Sequence, residues 1–462
     1  MSSIPALSIV VTARNDDHGG NLLSRMQLFV TGLLEQAKRH RLSCELIIVE
    51  WNPPQDKPKL SEALNWPREP GPCSVRIIEV PPHLHRRFRY SSKLPLYQMI
   101  AKNVGIRRAR GRFVVATNID LLFSDALIKF FASGKLNPQF MYRIDRYDVP
   151  SDIPLKVSIA ERLDYCKRHV IRVNRRDGTF SSEVLRRIVL MKLGFLVTNF
   201  GEYAVRFLPH LPRIERPGLP HFRTRHRSRR LKSLVGGYIN SRGMLLLDGA
   251  RFIRRYVRPQ YLRTLNNDPL LKARFLLVRL RENLPLFLPH LPQVTIRCRI
   301  RLLLPDLRRF INTRRRLVAE ARTVARKYFR PPYPRLHTNG CGDFTLMARE
   351  HWFALRGYPE LDMFSFNLDS VLCHMAFHNG VREKVLRDPM RIYHIEHASG
   401  WTPKGEQLMI ERLRNVGIPM LEFPQFESWA IRMTKEKRPI IFNSEGWGFT
   451  SENLSETRIW HD

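Results

Sequence analysis

The first apolar run, Leu7-Ser-Ile-Val-Val-Thr-Ala13, is rich in β-branched residues and breaks into Arg14-Asn15-Asp16-Asp17 and a glycine pair. That pattern predicts a buried strand feeding a polar loop. From Leu22 the apolar positions 22, 23, 26, 29, 30, 33, 34 and 37 keep the helical period, which predicts an amphipathic helix. Glu45–Trp51 reads as a second strand, halted by Asn52-Pro53-Pro54, and Val75–Val80 as a third, halted by Pro81-Pro82. A helix over 96–108, a strand over 112–117, a polar turn and a helix capped near Ser124-Asp125 follow. Strands alternating with helices predict an α/β fold with a mostly parallel sheet flanked by helices. Ligands of such sheets lie beyond the carboxyl ends of the strands. Three polar clusters fall there: Arg14-Asn15-Asp16, Glu50-Trp51-Asn52 and Asn118-Ile119-Asp120.

The pattern resumes after residue 335. Leu336–Met347 is a glycine-rich loop running into an apolar segment. A short helix over 349–356 closes at Gly357 with Pro359 beyond it. Phe364–Ser370 then enters a helix with apolar positions 368, 371, 372, 375 and 376, stopped at Asn379-Gly380. Arg391–Trp401, which contains His394, Glu396 and His397, is the densest polar and aromatic cluster of this half.

Charge divides the chain further. Its 462 residues hold 78 Lys and Arg against 42 Asp and Glu, a net of +36. Residues 151–335 account for 42 of the basic and 12 of the acidic groups, so two near-neutral blocks, 1–150 and 336–462, flank a basic insertion. Within the insertion, 165–174 reads as helix, strand and turn. Beyond 205, arginines alternate with Leu, Phe and Tyr, as in His221–Arg230 and Arg251–Arg258. Asp306–Tyr328 carries apolar residues at helical spacing and eight Lys or Arg on its other faces, so the insertion reads as mainly helical. Such a segment suits an anionic membrane surface over 205–330, packing of its apolar faces on the core or, less well, nucleic acid.

No apolar stretch reaches the ~18 residues of a membrane span, since Lys or Arg interrupts each candidate. The N-terminus has no basic-then-apolar leader, and six scattered cysteines form no C-x-x-C pair. The expectation is a protein of a reducing, cytoplasmic compartment.

The order of a strand ending in R-N-D, a strand ending in E-W-N, and Lys102-Asn103-Val104-Gly105 with Ala109-Arg110-Gly111 before a strand and an acidic turn resembles family 2-like glycosyltransferases of the GT-A fold. The turn departs from the family pattern, because Asn118 stands where the first Asp is usual. The resemblance covers about 6–148 and 336–401. It implies transfer of a sugar from a nucleotide-sugar to a carbohydrate or lipid-linked acceptor hydroxyl, as in polysaccharide biosynthesis, at the inner face of the membrane. It implies donor contacts from Arg14, Asn15, Glu50, Asn52, Lys102, Asn103 and Asn118.

By the same resemblance, Mg²⁺ or Mn²⁺ sits on Asp120 with His394 or His397, and Asp369 is the acid that takes the acceptor's proton. Asp343 is a second candidate acid on its glycine loop. A divalent cation would neutralise a departing diphosphate, and a base must lie within hydrogen-bond reach of the hydroxyl it deprotonates.

Plainer accounts stand beside each of these. Asn118 and Asp120, like Glu50 and Asn52, are turn formers after strands. Asp369 suits the positive end of a helix, and lone histidines are often structural. A non-catalytic basic protein of the same fold, holding membrane or nucleic acid, and a nucleotidyltransferase on a similar sheet are the alternative readings.

Overall fold

The computed structural model describes residues 4–69, 71–183, 332–397 and 403–460. Its strands are β1 Leu7–Ala13, β2 Cys44–Trp51, β3 Cys73–Val80, β4 Phe113–Thr117, β5 Leu121–Phe123, β6 Phe140–Ile144, β7 Arg146–Val149, β8 Arg172–Arg175, β9 Gly178–Ser181, β10 Phe344–Ala348, β11 Arg382–Leu386, β12 Ile392–Ile395 and β13 Glu456–Arg458. The helices are α1 Leu22–His40, α2 Leu60–Ala63, α3 Pro82–His85, α4 Gln98–Arg107, α5 Asp125–Ala132, α6 Ile159–Arg168, α7 Arg349–Ala354, α8 Leu368–His378, α9 Pro403–Asn415 and α10 Phe423–Glu436.

Eight strands form one sheet in the order β11-β6-β10-β4-β1-β2-β3-β13. β3, β2, β1 and β4 run parallel, as the alternation of strands and helices predicts. The expected mostly parallel sheet is in fact mixed: β10 is antiparallel to both β4 and β6, and β13 is antiparallel to β3. A buried apolar strand such as Phe344–Ala348 reads the same in either direction, so its orientation leaves no local mark. Buried apolar clusters line the two faces of the sheet, one built on α4, α8 and α10 and the other on α1 and α5.

Helix α1 buries Leu22, Met26, Phe29, Val30, Leu33 and Ala37, the stripe expected from its periodicity. Helix α4 is buried nearly all round, and Gly105 is what lets it lie against the sheet. A Cβ there would stand 2.5 Å from Val10 Cγ1 and 3.1 Å from Val49 Cγ2. Ser124 caps α5 as expected, accepting from Leu127 N.

A second sheet, β5-β12-β7-β8-β9, packs on its own apolar cluster. The chain crosses from the first sheet to the second at Asn118–Asp120, between β4 and β5. Strands from both sides of the basic segment interleave, since β10 lies between β4 and β6, and β12 between β5 and β7. The blocks 1–150 and 336–462 are therefore halves of one body rather than separate layers. Residues 151–183, which charge alone assigns to the insertion, belong to that body too: α6 packs under the second sheet, and β8 and β9 complete it. The expected basic helix over 306–328 and the Arg-rich runs at 221–230 and 251–258 lie outside the described residues. Among the described residues no helix is long and apolar enough to cross a membrane.

Candidate functional site

The strand order turns back at β1, which has β2 on one side and β4 on the other, so the loops after β1 and β4 emerge side by side at the sheet's carboxyl edge, where ligands of such sheets bind. The crossing between the sheets gives the 118–120 turn two destinations. Asn118 faces the start of β10, and Asp120 faces the end of β12.

The Asn118 amide is fully engaged. Its Oδ1 accepts from Lys102 Nζ at 2.8 Å and Gln98 Nε2 at 3.1 Å, and its Nδ2 donates to Asp343 Oδ1 at 2.6 Å. Lys102 is fully buried and also donates to the Gly342 carbonyl at 2.6 Å. Burial pushes its amine down to about 8 against the pull of Asp343 and Asp369. The other oxygen of Asp343 pairs with Arg146 Nη1 at 2.6 Å. An acid at 118 would thus confront the Asp343 carboxylate, which accounts for the asparagine that breaks the expected acidic turn.

Asp120 meets three cationic or imidazole groups. Its Oδ2 lies 3.2 Å from His397 Nε2, 3.7 Å from His394 Nε2 and 3.2 Å from Arg25 Nη1. Burial would raise its pKa, but His394, His397 and Arg25 together hold it well below the usual carboxylate range. Asp120 Oδ1 is buried and accepts no hydrogen bond. One ligand atom each from Asp120, His394 and His397 lies within 4.8 Å of the others. A carboxylate with an open oxygen and two imidazoles fits a divalent ion, and this mixed set suits Mn²⁺ or another first-row metal better than oxygen-seeking Mg²⁺.

His394 borders a second group, Asp148 and Glu396, that satisfies the same distance test. Its carboxylates already face arginines. Asp148 Oδ2 accepts from Arg172 Nε at 2.6 Å and Asn174 Nδ2 at 2.9 Å, Arg146 Nε stands 2.8 Å from Oδ1, and Glu396 pairs with Arg172. The negative charge of this group is balanced by Arg146 and Arg172. Burial would lower the His394 pKa and Arg146 adds to that, but the carboxylates of Asp120, Asp148 and Glu396 raise it to about 9.

Asp369, in the first turn of α8, is half-buried and close to Gly342, where an added Cβ would meet its Oδ2 at 2.9 Å. Burial raises its pKa, opposed by hydrogen bonds from Cys341 and the Ser370 N–H and by Lys102. Of the two acids expected to serve the acceptor, Asp343 is pinned by the Asn118 amide and the Arg146 guanidinium, whereas Asp369 forms no ion pair within 4 Å among the described residues.

The remaining expected donor contacts serve mainly the loops. Arg14 donates from Nε to Asn52 O at 2.7 Å and pairs with Asp16 at 2.8 Å, bracing the ends of β1 and β2. Asn15 donates to Pro58 O at 2.9 Å. Asn52 turns the chain with φ 48°. Glu50 Oε1 accepts Leu60 N at 2.9 Å and so anchors α2. Asn103 clamps the loop after α7, accepting Tyr358 N at 2.8 Å and donating to Tyr358 O at 2.8 Å and Glu360 Oε1 at 2.9 Å.

Three residues that bear on the site escaped the sequence reading: Arg25, Arg146 and Asp148. Arg25 had a usable signal, because it falls inside the apolar stripe of α1 between Leu22 and Met26, where a charge requires a partner. Arg146 and Asp148 sit on a short strand whose partners come from β8, β10 and β12, too far along the chain for any local pattern.

Compared with known proteins, the chain matches no family model and no curated sequence.

Proposed function

We propose that the protein is a GT-A-type glycosyltransferase that moves a sugar from a nucleotide-sugar to an acceptor hydroxyl with the help of a divalent metal. The observation that carries the reading is the meeting of Asp120, His394 and His397 at the carboxyl edge of an α/β sheet, with Arg25 alongside. An ion held by Asp120, His394 and His397 would supply charge neutralisation for a diphosphate leaving group. Arg25, whose guanidinium is held by the His18 and Gly20 carbonyls and by Asp120, adds a fixed positive charge at the same place.

In the displacement, the acceptor oxygen forms a bond to the anomeric carbon as the bond from that carbon to the diphosphate breaks. The hydroxyl proton passes to Asp369. A carboxyl whose pKa is raised by burial is a better proton acceptor near neutrality than an ordinary surface acid. Asn118 and Arg146 engage both oxygens of the neighbouring Asp343, which supports Asp369 as the acid that acts.

The acceptor is carbohydrate or lipid-linked, and the work is done at an anionic membrane face. Charge supports that location: residues 184–331 hold 34 Lys and Arg against 7 Asp and Glu.

The test is turnover of UDP- and GDP-sugars with Mn²⁺ or Mg²⁺, with the nucleotide product identified. Release of nucleoside diphosphate that depends on metal and falls at least 100-fold in Asp120→Ala is expected. Release of pyrophosphate would point to nucleotidyl transfer, and full activity of Asp120→Ala would end the metal role.

A further inference from the structure

We propose that Asp148 is a positioning residue that fixes the His394 ring with Nδ1 turned inward and Nε2 presented to the metal site; this rests on the metal reading of Asp120, His394 and His397. The two residues are register partners on adjacent parallel strands, β7 and β12, so their side chains leave the sheet on the same face. His394 Nδ1 lies 3.4 Å from Asp148 Oδ1, and its Nε2 lies 3.7 Å from Asp120 Oδ2. Nδ1 is buried without a hydrogen bond, and Asp148 Oδ1, which Arg146 Nε approaches to 2.8 Å, is the carboxylate oxygen closest to it. The imidazole therefore lies between carboxylates, Asp148 and Glu396 at Nδ1 and Asp120 at Nε2.

The two carboxylates are not equivalent. Asp148 is wholly buried and held by Arg172, Asn174 and Arg146, drawn from β8 and from its own strand. It cannot swing out to ligate an ion. Asp120 has a free oxygen and opens toward His397. A fixed carboxylate beside Nδ1 keeps a proton on that nitrogen, so Nε2 is the nitrogen that gives up its proton to a metal. Glu396 is less suited to hold the ring, since its Oε1 is 3.7 Å from Nδ1, more exposed, and drawn to Arg172.

The experiment is Mn²⁺ titration followed by electron paramagnetic resonance on the full chain, for the wild type, Asp148→Asn and Asp148→Glu. Asp148→Asn is expected to weaken Mn²⁺ binding about 10- to 100-fold, the usual effect of removing an outer-shell partner, and Asp148→Glu to recover part of it. Because Asp148→Asn leaves the buried Arg146 and the part-buried Arg172 short of charge and can impair folding, a second measurement uses the wild type alone. Long-range ¹H–¹⁵N correlation of the His394 ring in the Zn²⁺-bound, ¹⁵N-histidine-labelled protein is expected to find the proton on Nδ1 and the metal on Nε2. Metal on Nδ1, or Mn²⁺ binding within twofold of wild type in a folded Asp148→Asn, overturns the positioning role alone. A wild type that binds neither Mn²⁺ nor Zn²⁺ overturns the metal reading itself.

Discussion

Replacing Glu50 by Gln isolates one buried charge with little change of shape. Glu50 ends β2 and is 1% exposed, and its Oε1 holds the N-terminus of α2 through Leu60 N at 2.9 Å. Burial is the main reason that its pKa rises from 4.5 to about 7; the Leu60 N–H opposes the rise and the neighbouring Glu79 adds to it. A carboxyl with a raised folded pKa binds its proton more tightly in the folded chain than in the unfolded one. The folded state therefore loses stability as pH climbs from 4.5 to about 7, and the full penalty stands above that.

At about 1.4 kcal/mol for each pH unit of displacement, the penalty is on the order of 3 kcal/mol. Glutamine keeps the acceptor oxygen for Leu60 N and never ionises. Urea unfolding of both proteins at pH 4.5 and pH 8 is the assay, and every other titration cancels in the comparison. The stability of Glu50→Gln relative to wild type should rise by roughly 2–3 kcal/mol between the two pH values. A difference that is the same at both would refute the buried, charge-strained placement of Glu50.

Two further substitutions probe the frame around the site. Asn118→Asp sets a carboxylate against Asp343 at the 2.6 Å now spanned by a hydrogen bond, a like-charge contact that protonation relieves. A loss of about 1–3 kcal/mol at pH 8 that shrinks at pH 5 is expected in urea unfolding, and an equal stability at both would contradict it. Gly105→Ala drives a methyl to 2.5 Å from Val10, an overpacking cost of about 1–3 kcal/mol that exceeds the helix-propensity gain of about 1 kcal/mol. A variant more stable than wild type would show that α4 can retreat from the sheet.

The legible parts of the fold are those whose information is local. The apolar stripe of α1 and the β-branched runs of β1 to β4 each bury a continuous face, so spacing alone announces them. β11 and β13 are edge strands with half-exposed or exposed polar residues, and their identity depends on β6 and β3 rather than on their own composition. The site divides in the same way. Asp120, His394 and His397 were legible because they lie at strand ends in polar clusters. That both oxygens of Asp343 are engaged depends on Arg146 and Asn118, which lie far from it along the chain. The asparagine at 118, a defect when the turn is viewed alone, becomes a requirement once Asp343 is opposite it.

The central claim is that one divalent ion sits between Asp120, His394 and His397 at the sheet's carboxyl edge. A crystal soaked with Mn²⁺ and a nucleoside diphosphate tests it by anomalous scattering. The account predicts a manganese peak within bonding distance of an Asp120 oxygen and of an imidazole nitrogen of His394 or His397, with the diphosphate on its open side near Arg25. No peak there, or a peak among Asp148 and Glu396 instead, would contradict it.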